Sequence, residues 1–143
     1  MRPNMTTIQK SIMRFTPSGQ LFGHKPDSQI LVWMRPSEFL DKTPKLSPEY
    51  WKSTSTRIVV DRLTDKMEKD IPIDPLFLDI DTVNCKITNH EGRHRAIAAE
   101  KAGIARVPVI IYLRDDNRNY VSTKEYLEQG CKCNYFIAKQ QNK

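Results

Sequence analysis

"ITNHEGRHRAIAAEKAGI", residues Ile87 to Ile104, supports two incompatible structures, and the choice between them decides the fold. Read from His90, the letters spell His-Glu-x-x-His. In a continuous helix that spacing puts two imidazoles on one face to bind zinc, with the glutamate acting as base on a metal-bound water. Read from Glu91, they spell an acid, a glycine and an Arg-His-Arg cluster that opens an alanine-rich helix. That is the form of a strand-to-helix phosphate cradle.

The flanking residues favour the second reading. A zinc helix would have to contain "TNHEGRH", in which Thr88 and Asn89 prefer caps and strand ends. Gly92 would cost about 1 kcal/mol inside a helix. "VNCKIT" (Val83–Thr88) alternates as a strand and leaves no turn of helix before His90. Ile97 and Glu100 stand where an extended zinc motif has a glycine and a further histidine. The expectation is therefore a strand ending at Thr88–Asn89, with His90 beside the site, and a helix over residues 92–102 stopped by Gly103.

Such a helix aims the backbone N–H groups of Gly92, Arg93, His94 and Arg95 at an anion. Gly92 lets the backbone approach a phosphate closely, and Arg95 can fork onto its oxygens. Glu91, just outside the helix, could accept a proton or hold a metal ion that bridges phosphates. On the residues alone a plainer reading stands beside this one: Glu91 caps the helix and the arginines are solvated.

Working outward, "RVPVIIYL" (Arg106–Leu113) is an apolar strand, with Pro108 near its start where a missing N–H is tolerated. "PLFLDID" gives a strand at Leu76–Ile80 and a turn at Asp81–Thr82, so that Val83–Thr88 becomes its hairpin partner. Val59, Val60, Leu63, Met67 and Ile71 recur at spacings of three and four, an amphipathic helix with Arg62, Asp65, Lys66 and Lys69 on its wet side. "QILVWM" (Gln29–Met34) is a short strand. "RPSEFLDK" is a helical turn capped by Ser37, with Phe39 and Leu40 facing inward. "TPKLSPEYWKSTSTR" (Thr43–Arg57) reads as a long surface loop. Its Tyr50 and Trp51 either anchor the loop or stack on a base, and anchoring is favoured. A short helix is expected at Thr123–Glu128.

At 143 residues, 38% hydrophobic and 28% charged, the chain suits one soluble domain with a modest core. Its longest apolar run, Val107–Leu113, is too short to span a bilayer. No apolar stretch follows the first basic residues, so no secretory leader and a cytoplasmic setting are expected. The net charge of +6 favours polyanionic partners. It is concentrated in the first 26 residues (Arg2, Lys10, Arg14, Lys25) and after Glu128 (Lys132, Lys139, Lys143), stretches without an acid. Cys85, Cys131 and Cys133 are an odd number with no disulfide framework. They are read as reduced thiols, and no structural metal is expected.

"PLFLDIDTVNCKITNHEGRHRAIAAEKAGIARVPVIIY" (Pro75–Tyr112) resembles the ParB/sulfiredoxin-like superfamily, the ParB-like nuclease domain. The resemblance runs through the Pro-Leu strand and its hairpin at Asp79–Ile87 to the acid-Gly-x-His-Arg loop of Glu91–Arg95. It continues through Ala98-Ala99, Gly103 and Val107-Pro108-Val109, with weaker support back to "MRPSEFL" (Met34–Leu40). The loop variant is most similar to phage- and plasmid-borne domains. Arg93 stands where sulfiredoxins carry their catalytic cysteine, and Ile97 where partition proteins carry a further arginine. Neither cysteine repair nor a CTP clamp is implied. Relatives described as ATP- or ADP-dependent kinases or as DNases match the loop best at Glu91, His94 and Arg95.

The resulting expectation is an α/β fold: an irregular arm over residues 1–28 and one ParB/sulfiredoxin-like domain over residues 29–143. Its implied function is binding of nucleotide or nucleic-acid phosphate at Gly92, Arg93, His94 and Arg95, with phosphodiester or phosphoryl-transfer chemistry carried by Glu91, His94 and Arg95. ATP or another nucleotide with Mg2+ would be the cofactor, and the setting the host cytoplasm of a phage or plasmid. The alternative is a non-catalytic module binding DNA or a host protein, and a zinc protease stands third.

Overall fold

The structure, a computed structural model, describes residues 26–69, 71, 73–129 and 133. The basic N-terminal arm up to Lys25 and the three C-terminal lysines lie outside these residues. After a 3-10 turn at Pro26–Ser28 come β1 (Gln29–Met34), α1 (Pro36–Asp41), α2 (Pro48–Lys52) and α3 (Thr54–Glu68). The hairpin strands β2 (Leu76–Asp81) and β3 (Lys86–Glu91) follow, then α4 (Arg93–Lys101), β4 (Val107–Arg114) and α5 (Thr123–Glu128). This is a mixed α/β fold, as the patterning implies.

The four strands lie in the order β1-β4-β2-β3. β4 runs antiparallel to β1 and parallel to β2, and β3 closes the edge antiparallel to β2. The parallel pair requires a crossover, and β3 with α4 supplies it. This is why the loop at Gly92 joins an edge strand directly to the helix that covers the sheet. Pro108 sits in the central strand opposite Trp33, near the strand's start.

Strand residues alternate between two faces. Met34, Leu76, Leu78, Ile80, Val107, Val109 and Ile111 are buried on one face, beneath Phe39, Val60, Met67 and the alanines of α4. Ala96, Ala98 and Ala99 are wholly buried. Their small side chains let α4 lie close on the strands, while α1 and α3 pack beside it. The opposite face carries Ile110 and Tyr112 against Phe77 and Tyr120. There Arg114 Nε pairs with buried Asp79 at 3.0 Å while Nη1 and Nη2 donate to the Arg118 carbonyl and Tyr120 hydroxyl. That guanidinium fixes the turn after β4, since a buried carboxylate needs its partner.

Several sequence expectations are corrected. Thr43–Arg57 is not one long loop. Ser47 caps α2, accepting from the Tyr50 N–H, and Ser53 caps α3, accepting from the Thr56 N–H, so α3 starts five residues earlier than its apolar spacing suggests. The serines mask this because the same residue type serves caps and loops. Val59 and Ile71 are exposed, Ile71 beyond the end of α3. Arg35, not Ser37, is the N-cap of α1, and Pro36 takes the first helical position. β3 runs on to Glu91, past the expected end at Asn89, because the β2 pairing reaches Phe77↔Glu91 after an irregularity at Asp79/Ile80.

The thiol expectation is overturned. Cys85, in the hairpin turn at φ 55°, forms a disulfide with Cys133, their Cα atoms 5.3 Å apart and 48 positions apart in sequence. Chain spacing says nothing about such proximity. The fold brings the tip of the β2–β3 hairpin to the chain that follows α5. Cys131 lies outside the described residues. No helix among the described residues is long and apolar enough to cross a membrane.

Candidate functional site

The five letters Glu-Gly-Arg-His-Arg straddle the β3–α4 junction. Glu91 is the last residue of the edge strand and its side chain is 61% exposed. Gly92 is the N-cap residue at φ 120°, and no side chain caps the helix. Its carbonyl receives the first helical bond, from Ala96 N–H at 2.8 Å. The first turn of α4 therefore presents the amides of Arg93, His94 and Arg95 at the positive end of a nine-residue helix.

The glycine has two structural reasons besides any ligand. At φ 120° an L side chain is strained, and a Cβ would stand 2.6 Å from Leu76 Cγ. Leu76 is wholly buried and has no free direction to retreat.

The three side chains that follow are tied to the protein. Arg95 Nη1 donates to the carbonyls of Asp74 at 3.0 Å and Pro75 at 2.8 Å, and Nη2 lies 3.9 Å from Glu91. Burial pushes its pKa down, opposed by the charges of Glu91 and Asp74. It latches the entry to β2 onto α4. Arg93 Nη1 donates to the Pro44 carbonyl at 2.7 Å, which ties the α1–α2 connection to the same helix end.

His94 meets α2. Its Nε2 lies 3.0 Å from the Tyr50 hydroxyl, the tautomer deciding which group donates. The ring is also flanked by Tyr50 and Trp51 at centroid distances of 5.8 Å and 5.6 Å. Burial holds the His94 pKa below its usual value, aided by Arg93 and then Arg95. The imidazole is thus held neutral near pH 7 and acts as a hydrogen-bonding group rather than a cation. His90 is lowered in the same way, by burial and by Arg93.

His90 stands on β3 and His94 in the first turn of α4, with the break at Gly92 between them. The continuous helix required by the zinc motif does not form. Among the described residues no group of three or more His, Cys, Asp or Glu is arranged to hold a metal ion.

Tyr50 and Trp51 belong to the site neighbourhood, and the sequence carried the signal in "SPEYWKS", two serine caps around a short aromatic helix. Beside Trp51 a cavity of about 150 Å³ is lined by Arg57, Val60, Ile97 and Lys101. Arg57 and Lys101 were not singled out by any motif, because they come together only through the packing of α3 on α4. No protein-family model, curated protein or solved structure matches the chain. The ParB/sulfiredoxin-like resemblance therefore rests on the motif residues alone.

Proposed function

We propose that the chain is a ParB-like domain that binds the phosphate of a nucleotide or nucleic acid at the first turn of α4. The carrying observation is the start of that helix: a glycine N-cap at φ 120°, no side-chain cap, and two arginines and an imidazole in the next three positions. Backbone amides and the helix dipole attract a phosphate there, and Arg93 adds charge at the rim. The net charge of +6 steers polyanions towards the molecule.

In the catalytic form of this reading, exposed Glu91 accepts a proton from the attacking hydroxyl or water, and neutral His94 donates or accepts at the phosphate. Mg2+ arriving with a nucleotide would be held by Glu91 and the ligand's own phosphates, since a single carboxylate suffices when phosphates complete the shell. It would supply charge neutralisation. Arg95 acts as the latch that sets the loop's shape.

A non-catalytic binding module is the second reading, and one observation favours it: Arg93, His94 and Arg95 each already commit a polar atom to the protein. The setting we infer is the cytoplasm of a phage- or plasmid-bearing host. The thiol pool there opposes disulfides, so in that compartment the fold would rest on its core rather than on the Cys85–Cys133 bond.

Titration of the wild type with ATP–Mg2+, with CTP–Mg2+ and with a short DNA, beside Glu91→Ala and Arg93→Ala, tests the proposal. Expected is binding that weakens with salt and weakens several-fold in Arg93→Ala. Glu91→Ala should keep binding and lose any turnover. Absence of binding to all three ligands would overturn the proposal. Binding with no turnover in the wild type selects the non-catalytic module.

A further inference from the structure

We propose that the cavity between Trp51 and Lys101 takes an unpaired nucleobase, so that the polymer recognised on the α4 face is single-stranded nucleic acid. The inference rests on the phosphate-binding reading of the α4 first turn and names its substrate class.

The cavity has an apolar interior and a cationic rim. Trp51, Val60 and Ile97 belong to or pack on the main core, while Arg57 and Lys101 are exposed cations. No acid lines it. Its volume, about 150 Å³, suits one ring rather than a drug-sized ligand. A ring that carries an anion next to it satisfies both parts: the ring leaves water among apolar side chains, and the anion meets Arg57 and Lys101. A nucleobase joined to its backbone phosphate has this composition.

Position selects a strand over a free nucleotide. Trp51 touches both places, lining the cavity and lying 5.6 Å from the His94 ring in the α4 first turn. From Arg93 to Lys101 the helix rises roughly 12 Å at 1.5 Å per residue. One phosphate cannot sit at both ends of that distance, whereas successive phosphates of a strand can. A duplex offers no base to the cavity without unstacking and unpairing it, which costs a few kcal/mol. An unpaired strand brings its bases already free, and stacking on aromatic side chains with cations along the backbone is the usual way such strands are held.

Trp33→Phe leaves Trp51 as the only tryptophan, and its fluorescence reports occupancy of the cavity. The probes are an eight-nucleotide oligothymidylate, the same oligomer abasic throughout, thymidine 5′-monophosphate, and a duplex of equal length. The amide shifts of Arg93–Arg95 report the α4 first turn independently. Expected is quenching of Trp51 by oligothymidylate, with the abasic strand and the duplex at least roughly tenfold weaker. Lys101→Gln and Arg57→Gln, both on the surface, should weaken the oligomer several-fold while leaving the fold intact.

Equal binding of the abasic strand, with the Arg93–Arg95 amides still shifting, would overturn the base pocket and leave the phosphate site standing. The monophosphate binding as tightly as the oligomer would overturn the assignment to a strand. Quenching without any shift at Arg93–Arg95 would separate the cavity from the α4 turn and defeat the proposal in its present form. No response of either reporter to any probe overturns this proposal, and the ATP–Mg2+ and CTP–Mg2+ titrations then decide the phosphate reading separately.

Discussion

At φ 120° and with Leu76 Cγ where its Cβ would stand, Gly92 is fixed by packing before any ligand is considered. Gly92→Ala should cost about 2–4 kcal/mol, the sum of backbone strain and overpacking against a buried leucine. Urea denaturation measures it, and a cost under about 0.5 kcal/mol would show that the loop relaxes freely. His94 gives a pH signature at the same scale. Its folded pKa lies below the usual 6.5, so the unfolded chain binds the proton more readily. The stability associated with neutral His94 is complete above about pH 6.5 and is lost as pH falls towards the lowered folded value. His90 acts in the same direction, so His94→Asn should flatten, not abolish, the loss between pH 7 and pH 5. Parallel denaturation profiles for wild type and variant would contradict this assignment. The motif showed which residues gather here, but not that Arg93, His94 and Arg95 are engaged by Pro44, Tyr50, Asp74 and Pro75. Those partners lie 20 to 49 positions away.

Among the elements, β1, β2, β4 and the alanine helix were the most legible, because period-2 apolar runs and small residues facing a sheet are local signals. β1, β4 and α5 stand close to where alternation and capping put them. α2 was not legible: five residues between Ser47 and Ser53 carry too few apolar positions to show a period, and only their serine caps betray them. The register of β3 was equally hidden, since its last residues are polar and are held by pairing with β2. Arg95 joins two of these elements, the entry to β2 and the start of α4. Arg95→Ala leaves two carbonyls without their donor and should cost about 1–3 kcal/mol of stability, read by thermal or urea unfolding. Unchanged stability together with lost phosphate binding would mean that Arg95 is a ligand rather than a latch.

Across the whole molecule, the order of the strands makes the β3–α4 junction part of the crossover between parallel β2 and β4, and so places the Glu91–Arg95 loop at the sheet's edge. Fold class was legible in the sequence; the disulfide was not, because residues 48 positions apart share no local pattern. The chain has three cysteines. Thiol titration of denatured protein from an oxidising preparation should find at least two more thiols after reduction than before it, and no gain on reduction would contradict the Cys85–Cys133 bond. Phosphate binding by the first turn of α4 is tested most directly by backbone amide shifts followed during titration with ATP–Mg2+ and with oligothymidylate. Saturable shifts concentrated at Gly92, Arg93, His94 and Arg95 and suppressed by salt are expected; shifts that spare these four amides, or none at millimolar ligand, would contradict phosphate binding there.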